Sequence, residues 1–202
     1  VDGWELEVFG LVETPLRLSW DEFQSLPRAN VYADFHCVTR WSRLDNVWEG
    51  VPVRQLLERA GIASQAKYVI LHAHDDGWTT NLPLPDLIAD DALLTDTHDG
   101  LPLSPDHGGP VRAIVPQLYA WKSAKWVRRI ELCEHDEPGY WERAGYHMLG
   151  DPAGAALWVA RSQPEQGAHG KTQWRRKLKV ESRGLIQGVE VLSTLNFREG
   201  YT

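Results

Sequence analysis

The sequence predicts an α+β fold of mixed short strands and short helices, and three observations carry that prediction. The N-terminal residues alternate apolar and charged with the period of a half-buried strand. Several apolar runs of four to eight residues are closed off by Gly, Pro or Asp-Gly turn signals. The helical stripes between them are few and unevenly placed, so the chain lacks the steady βαβ alternation of a parallel sheet.

The elements follow in order. Trp4, Leu6 and Val8 alternate with Glu5 and Glu7 as a first strand, and Leu16 to Leu18 form a second. Ser19-Trp-Asp-Glu22 has the spacing of a capping box, which predicts a short helix to about Leu26, ended by Pro27. Val31 to Val38 reads as a strand with Cys37 near its end. Pro52 sits at a good first helical position. Val53, Leu56, Leu57 and Ala60 then form one apolar stripe that Gly61 stops. Tyr68 to His72 and Trp78 to Leu82 look like hairpin partners across Asp75-Asp76-Gly77. Pro85 opens a helix to about Asp90. Asp99-Gly100 is a strong turn signal between Leu93-Leu94 and Leu101-Pro102-Leu103. Val111 to Val115 and Lys125 to Cys133 are further strands.

The 202 residues suffice for one domain with a full core, or a domain plus a tail. Ten Trp in a chain of this length point to thick packing layers or pocket walls. The formal net charge of −7 argues against nucleic acid as a partner. No apolar run approaches the ~18 residues of a membrane helix, so no membrane span is expected. With no leader visible, a cytoplasmic location is expected, or a periplasmic one if a leader has been removed. Cys37 and Cys133 cannot build a disulfide framework, although a single bridge stays open. Composition shifts after about Pro152. Between Arg161 and Gly184, seven Lys or Arg stand against two Glu, so 154–202 reads as a basic, partly ordered C-terminal extension, either a solvated tail or a docking surface for an acidic partner. A further strand is expected at Val189 to Phe197 within it.

Three segments carry chemistry. Cys37 is flanked by His36, Arg40 and Arg43, and positive charge around a thiol favours the thiolate, a soft-metal ligand and a nucleophile. In His107-Gly-Gly-Pro-Val-Arg112, paired glycines permit close backbone approach to a ligand, and Arg112 offers a planar fork for phosphate or carboxylate. In Trp121-Lys-Ser-Ala-Lys-Trp126, small residues between two lysines can present backbone N–H and ammonium groups to one anion. His72 and His74 share a strand face and raise a zinc hydrolase as a rival, without a third ligand at a telling spacing. No Walker loop, dinucleotide fingerprint, CxxC pair or nucleophile elbow is present.

Taken together, Phe35-His-Cys-Val-Thr-Arg-Trp-Ser42, His107 to Arg112 and Lys122 to Trp126 resemble the molybdopterin domain of the sulfite oxidase family. Tyr140-Trp-Glu-Arg143 and Gly145-Tyr-His147 look like that family's late segment, so the resemblance spans about Trp4 to Asp151 and sets a domain at 1–153. It implies the family's fold and a single pyranopterin dithiolene carrying molybdenum. It further implies Cys37 as catalytic metal ligand, and His72, His107, Arg112, Ser123, Ala124 and Lys125 as cofactor contacts. The implied activity is two-electron oxygen-atom transfer on a small or S-oxide-type substrate. With no haem motif in the chain, electrons would pass to a separate transfer partner. Where the sulfite oxidases proper place a substrate-pocket tyrosine, this chain has Asp96, and a carboxylate there would repel sulfite. The alternative is a binding module that keeps the fold without the cofactor.

Overall fold

The structure is a computed structural model that describes residues 1–74 and 77–152. All of these lie in the first of two units of the chain, Val1–Ser162. The basic extension at 154–202, its expected strand, and Asp75 and Asp76 of the expected hairpin turn lie outside the described residues.

Two sheets organise the domain. The first combines β1 (Glu5–Gly10), β2 (Leu16–Ser19), β5 (Tyr68–Ala73), β6 (Thr79–Pro83) and β10 (Val127–Cys133) in the order β2-β1-β10-β5-β6. The second runs β3 (Ala29–His36), β4 (Ser42–Pro52), β7 (Leu93–His98) and β8 (Leu101–Pro102), with β9 (Arg112–Ile114) also on β7. With four short helices among the described residues, α1 (Trp20–Gln24), α2 (Val53–Ala60), α3 (Leu84–Leu87) and α4 (Tyr140–Arg143), this is the expected α+β class.

The local signals explain most elements. Trp4, Leu6 and Val8 are buried while Glu5 and Glu7 face outward. The capping box closes in both directions: Glu22 N–H donates to Ser19 Oγ at 3.4 Å, and Ser19 N–H donates to Glu22 Oε2 at 2.8 Å. The helix ends at Gln24 rather than Leu26, because Ser25 Oγ donates to the Glu22 carbonyl at 2.7 Å and competes with the helical ladder. Val53, Leu56, Leu57 and Ala60 are buried against the first sheet's core, each large side chain contributing roughly 1.5–3 kcal/mol by leaving water. Expected to reach Asp90, α3 stops at Leu87, and Arg54 Nε donates to the Ile88 carbonyl just beyond it. Asp99 and Gly100 both take positive φ, the signature of a tight two-residue hairpin, and His98 pairs with Leu101 across it.

At β7 and β9 the second sheet is buried on both faces. Leu94 and Ala113 join the main core, while Leu93 and Ile114 join a small one with Phe35 and Trp48. The predicted strand Val31–Val38 is instead Ala29–His36, and Cys37 stands beyond its end. Cys37 N–H donates to the Trp41 carbonyl at 2.9 Å, and Arg40 N–H to the Cys37 carbonyl at 3.0 Å. These bonds turn the chain into β4 and place Cys37 at the hairpin's mouth.

Candidate functional site

Cys37 and Cys133 are both free thiols, so the single bridge left open by the sequence does not form. Cys37 is half-buried, and its Sγ lies 3.1 Å from the Thr39 hydroxyl. The expected ring of positive charge around it is only partly there. Arg43 turns away to Asp99, Asn46 and His98, so its charge is countered by the Asp99 carboxylate. His36 Nδ1 pairs with Ser42 Oγ at 2.8 Å.

Arg112 is the centre of the cluster. It is 5% exposed. Nη1 donates to the His107 carbonyl at 2.9 Å and Nη2 to the Ser123 carbonyl at 3.2 Å. Its guanidinium rests 5.2 Å from the Phe35 ring centroid and 5.7 Å from that of Trp48. Phe35 lies two residues before Cys37, which ties the guanidinium to the cysteine hairpin. Nε is buried without a partner among the described residues. Burial alone pushes the Arg112 pKa down to about 10, since no carboxylate faces it. Lys125 donates to the Asp106 carbonyl at 2.7 Å. Its pKa is lowered by burial and then by the Arg112 charge, with Asp106 opposing.

The two segments carrying these cations are bonded strand-fashion. Ala113 N–H donates to the Ala124 carbonyl at 2.8 Å, Trp126 N–H to the Gly108 carbonyl at 3.1 Å, and Val127 N–H to the Val111 carbonyl at 2.9 Å. Ser123 and Ala124 are buried, and Ser123 Oγ accepts from Val115 N–H at 3.0 Å. His107 is exposed, with Nδ1 2.7 Å from Ser104 Oγ. The paired glycines bring chain to chain rather than chain to ligand. A Cβ on Gly109 would sit 2.3 Å from the Leu103 carbonyl oxygen, and one on Gly108, at φ +102°, 2.9 Å from Lys125 Cγ.

His72 lies on the first sheet, where its partners are Glu131, at 2.9 Å, and the Phe9 ring. It lines a cavity of about 340 Å³ together with His74, Trp78, Arg128 and Arg129. That cavity adjoins the cradle through the chain, because Val127, two residues after Lys125, pairs with Ala73. Thus His107, Arg112, Ser123, Ala124 and Lys125 form one neighbourhood, the strand leading to Cys37 reaches it through Phe35, and His72 lines the cavity beside it. No group of three or more His, Cys, Asp or Glu is placed to hold a metal among the described residues, so the zinc reading finds no ligand set there. Asp96 also departs from expectation. It is the extra residue where the β4–β7 register shifts, 8% exposed, and is held by Arg28 and Gln24. Its charge is answered inside the fold by Arg28.

Residues 1–141 match the model of the oxidoreductase molybdopterin-binding domain. The chain belongs to this family. It is a molybdopterin-dependent oxidoreductase domain of the sulfite oxidase type, as the three motifs led us to expect. Over 149 residues it is 54% identical to the uncharacterized oxidoreductase YuiH of Bacillus subtilis, covering 74% of this chain and 75% of that protein. The catalytic subunit MsrP of the protein-methionine-sulfoxide reductase of Campylobacter jejuni is 27% identical, over 69% of this chain and 52% of that protein. The crystal structure of the sulfane dehydrogenase SoxCD of Paracoccus pantotrophus superposes with a TM-score of 0.61 at 25% identity, covering 65% of this chain and 38% of the other. This molybdopterin domain therefore spans three quarters of one relative and about half or less of the others. No helix among its described residues is long and apolar enough to cross a membrane.

Proposed function

We propose that this molybdopterin domain performs two-electron oxygen-atom transfer on a small or S-oxide-type substrate, with molybdenum held by one pyranopterin dithiolene and the Cys37 thiolate. The observation that carries the proposal is the Arg112 guanidinium, buried among the described residues with no carboxylate facing it and with Nε unpartnered. An uncompensated charge in such a place costs several kcal/mol unless an anion arrives to answer it. A pterin phosphate is such an anion, and Arg112 with Lys125 would neutralise it. His107, Ser123 and Ala124 would line the same group's place beside Arg112, and His72 would meet it from the neighbouring cavity. Cys37, half-buried at a hairpin mouth, is accessible to a soft metal in a way that a core cysteine is not. When bound, the cofactor supplies the exchange of one oxygen atom and two electrons. The chain's own part is to bind it, orient it and exclude water. Phe35 and Trp48 lower the local dielectric around the guanidinium and strengthen its hold.

The S-oxide class is supported by the similarity to the methionine-sulfoxide reductase subunit MsrP and by an exposed apolar residue in the Cys37 turn. Trp41, whose carbonyl accepts from Cys37 N–H, is 46% exposed and suits a thioether-bearing substrate better than a bare oxyanion. Reducing equivalents would come from a separate protein. The test is Cys37→Ser. Oxygen transfer to or from a model sulfoxide should be lost while pterin is retained through Arg112 and Lys125. Full activity at normal molybdenum loading would contradict the assignment.

A further inference from the structure

The late segment from Gly139 to Gly150 grips the residue just before the cradle. The Lys122 side chain is fully buried. Its Nζ donates to Glu142 Oε1 at 2.6 Å, to the Asn81 carbonyl at 2.8 Å and to Asn81 Oδ1 at 2.9 Å. Those three acceptors satisfy all three ammonium protons. Glu142 Oε1 also accepts from Trp121 Nε1 at 3.0 Å. Asn81 is held in turn by donating to Asp136 Oδ1 at 2.6 Å. Tyr119 N–H donates to the Gly150 carbonyl at 2.8 Å, and a Cβ on Gly150 would lie 2.9 Å from Lys122 Cγ. The tight turn Ala120–Lys122 is thereby held from β6, from α4 and from the segment after it.

Folding alone does not call for this arrangement. Removing two charges from water offsets most of what their attraction returns, and a well-packed apolar pair often does as well or better. A buried pair whose ammonium protons are all bonded does fix a geometry, even though Glu142 Oε2 has no partner among the described residues. The chain leaves Lys122 straight into Ser123, whose carbonyl holds Arg112, and then into Ala124 and Lys125.

We propose that Lys122 and Glu142 are positioning residues that set the cofactor cradle, Glu142 acting from the late segment through Lys122 on Ser123 and Lys125. The inference rests on the reading of that cradle as the molybdopterin site.

Lys122→Met alone would leave Glu142 charged and unpaired in the core, so the decisive variant is Lys122→Met with Glu142→Leu. The measurements are pterin and molybdenum per folded chain, the rate of pterin release after dilution, and the melting temperature, with Arg112→Met in parallel. The double variant leaves Asn81 Oδ1 and Trp121 Nε1 without their partners, so it is expected to melt several degrees lower, and to release pterin about 10- to 100-fold faster, the range seen when partners behind a metal site are removed. Glu142→Gln keeps the shape and removes the counter-charge. It should shift release in the same direction by less, and it decides the matter if the double variant does not fold. Release at the wild-type rate in the folded variants overturns the positioning role. If Arg112→Met also leaves release unchanged, the cradle itself has been misread. If Arg112→Met speeds release and these variants do not, only the role of Lys122 and Glu142 falls.

Discussion

Replacing Arg112 with Met should lower the stability of the cofactor-free chain only moderately while nearly abolishing cofactor retention. The guanidinium pKa is pushed down by burial to about 10, a drop worth roughly 3 kcal/mol at about 1.4 kcal/mol per decade. The native state gives up this proton at lower pH than the unfolded chain does. The penalty is therefore fully present below about pH 10 and is relieved only at higher pH. Met removes that penalty and fills most of the volume. It also deletes two charge-assisted hydrogen bonds to the His107 and Ser123 carbonyls, worth about 1.5–3 kcal/mol each, and the contacts with Phe35 and Trp48. The lost bonds match or exceed the relieved penalty, so the net change should be a loss of no more than about 3 kcal/mol, or a fall in melting of up to about 10 °C for a domain of this size. The assay compares melting of cofactor-free and loaded protein by calorimetry, with pterin fluorescence as the measure of loading. The loaded wild type should gain stability from its ligand, and the variant should show almost no gain. A fall of more than 10 °C in the cofactor-free variant together with normal pterin content would make Arg112 a folding residue and refute the reasoning.

Other perturbations separate local stability from cofactor binding. Gly108→Ala meets both a left-handed backbone and the Lys125 side chain, so melting should fall by several degrees and pterin content with it; unchanged loading would show that Lys125 can move aside without loss. Ser19→Ala removes one half of the capping box, far along the chain from the cradle. About 1 kcal/mol of stability should go, with pterin content unaltered, as thermal melts and fluorescence would show. The Cys133 thiol is pushed up to about 11 by burial and the carboxylates of Glu131, Glu137 and Asp136. Alkylation followed by mass spectrometry should leave Cys133 unmodified in native protein at pH 8, then show labelling that rises about tenfold per pH unit towards 11. Rapid labelling at neutral pH would mean that the site opens.

Much of the fold is legible in the sequence where the signal is local. Alternation in β1, the capping box of α1, the stripe of α2 and the Asp99-Gly100 turn each lie within a few residues and act through backbone geometry. What escapes is long-range. β4 reads Ser-Arg-Leu-Asp-Asn-Val-Trp-Glu-Gly-Val-Pro, without clean alternation, because a register shift between Glu49 and Gly50 breaks its period. Nothing near β1 announces its parallel pairing with β10. The candidate site divides in the same way. Arg112 and Lys125 stand in recognisable motifs. That Arg43 answers Asp99, that Asp96 answers Arg28, and that Lys122 is sealed with Glu142 depend on contacts between distant elements. A charged residue beside a thiol in sequence is a poor guide to the field at the thiol, because its side chain can be claimed by a carboxylate elsewhere.

Metal analysis of the purified protein, paired with pterin fluorescence after oxidation, bears most directly on this account. One molybdenum and one pterin per chain, both lost together in Arg112→Met, is the expected result. Stoichiometric zinc, or a folded and active protein carrying neither molybdenum nor pterin, would contradict it.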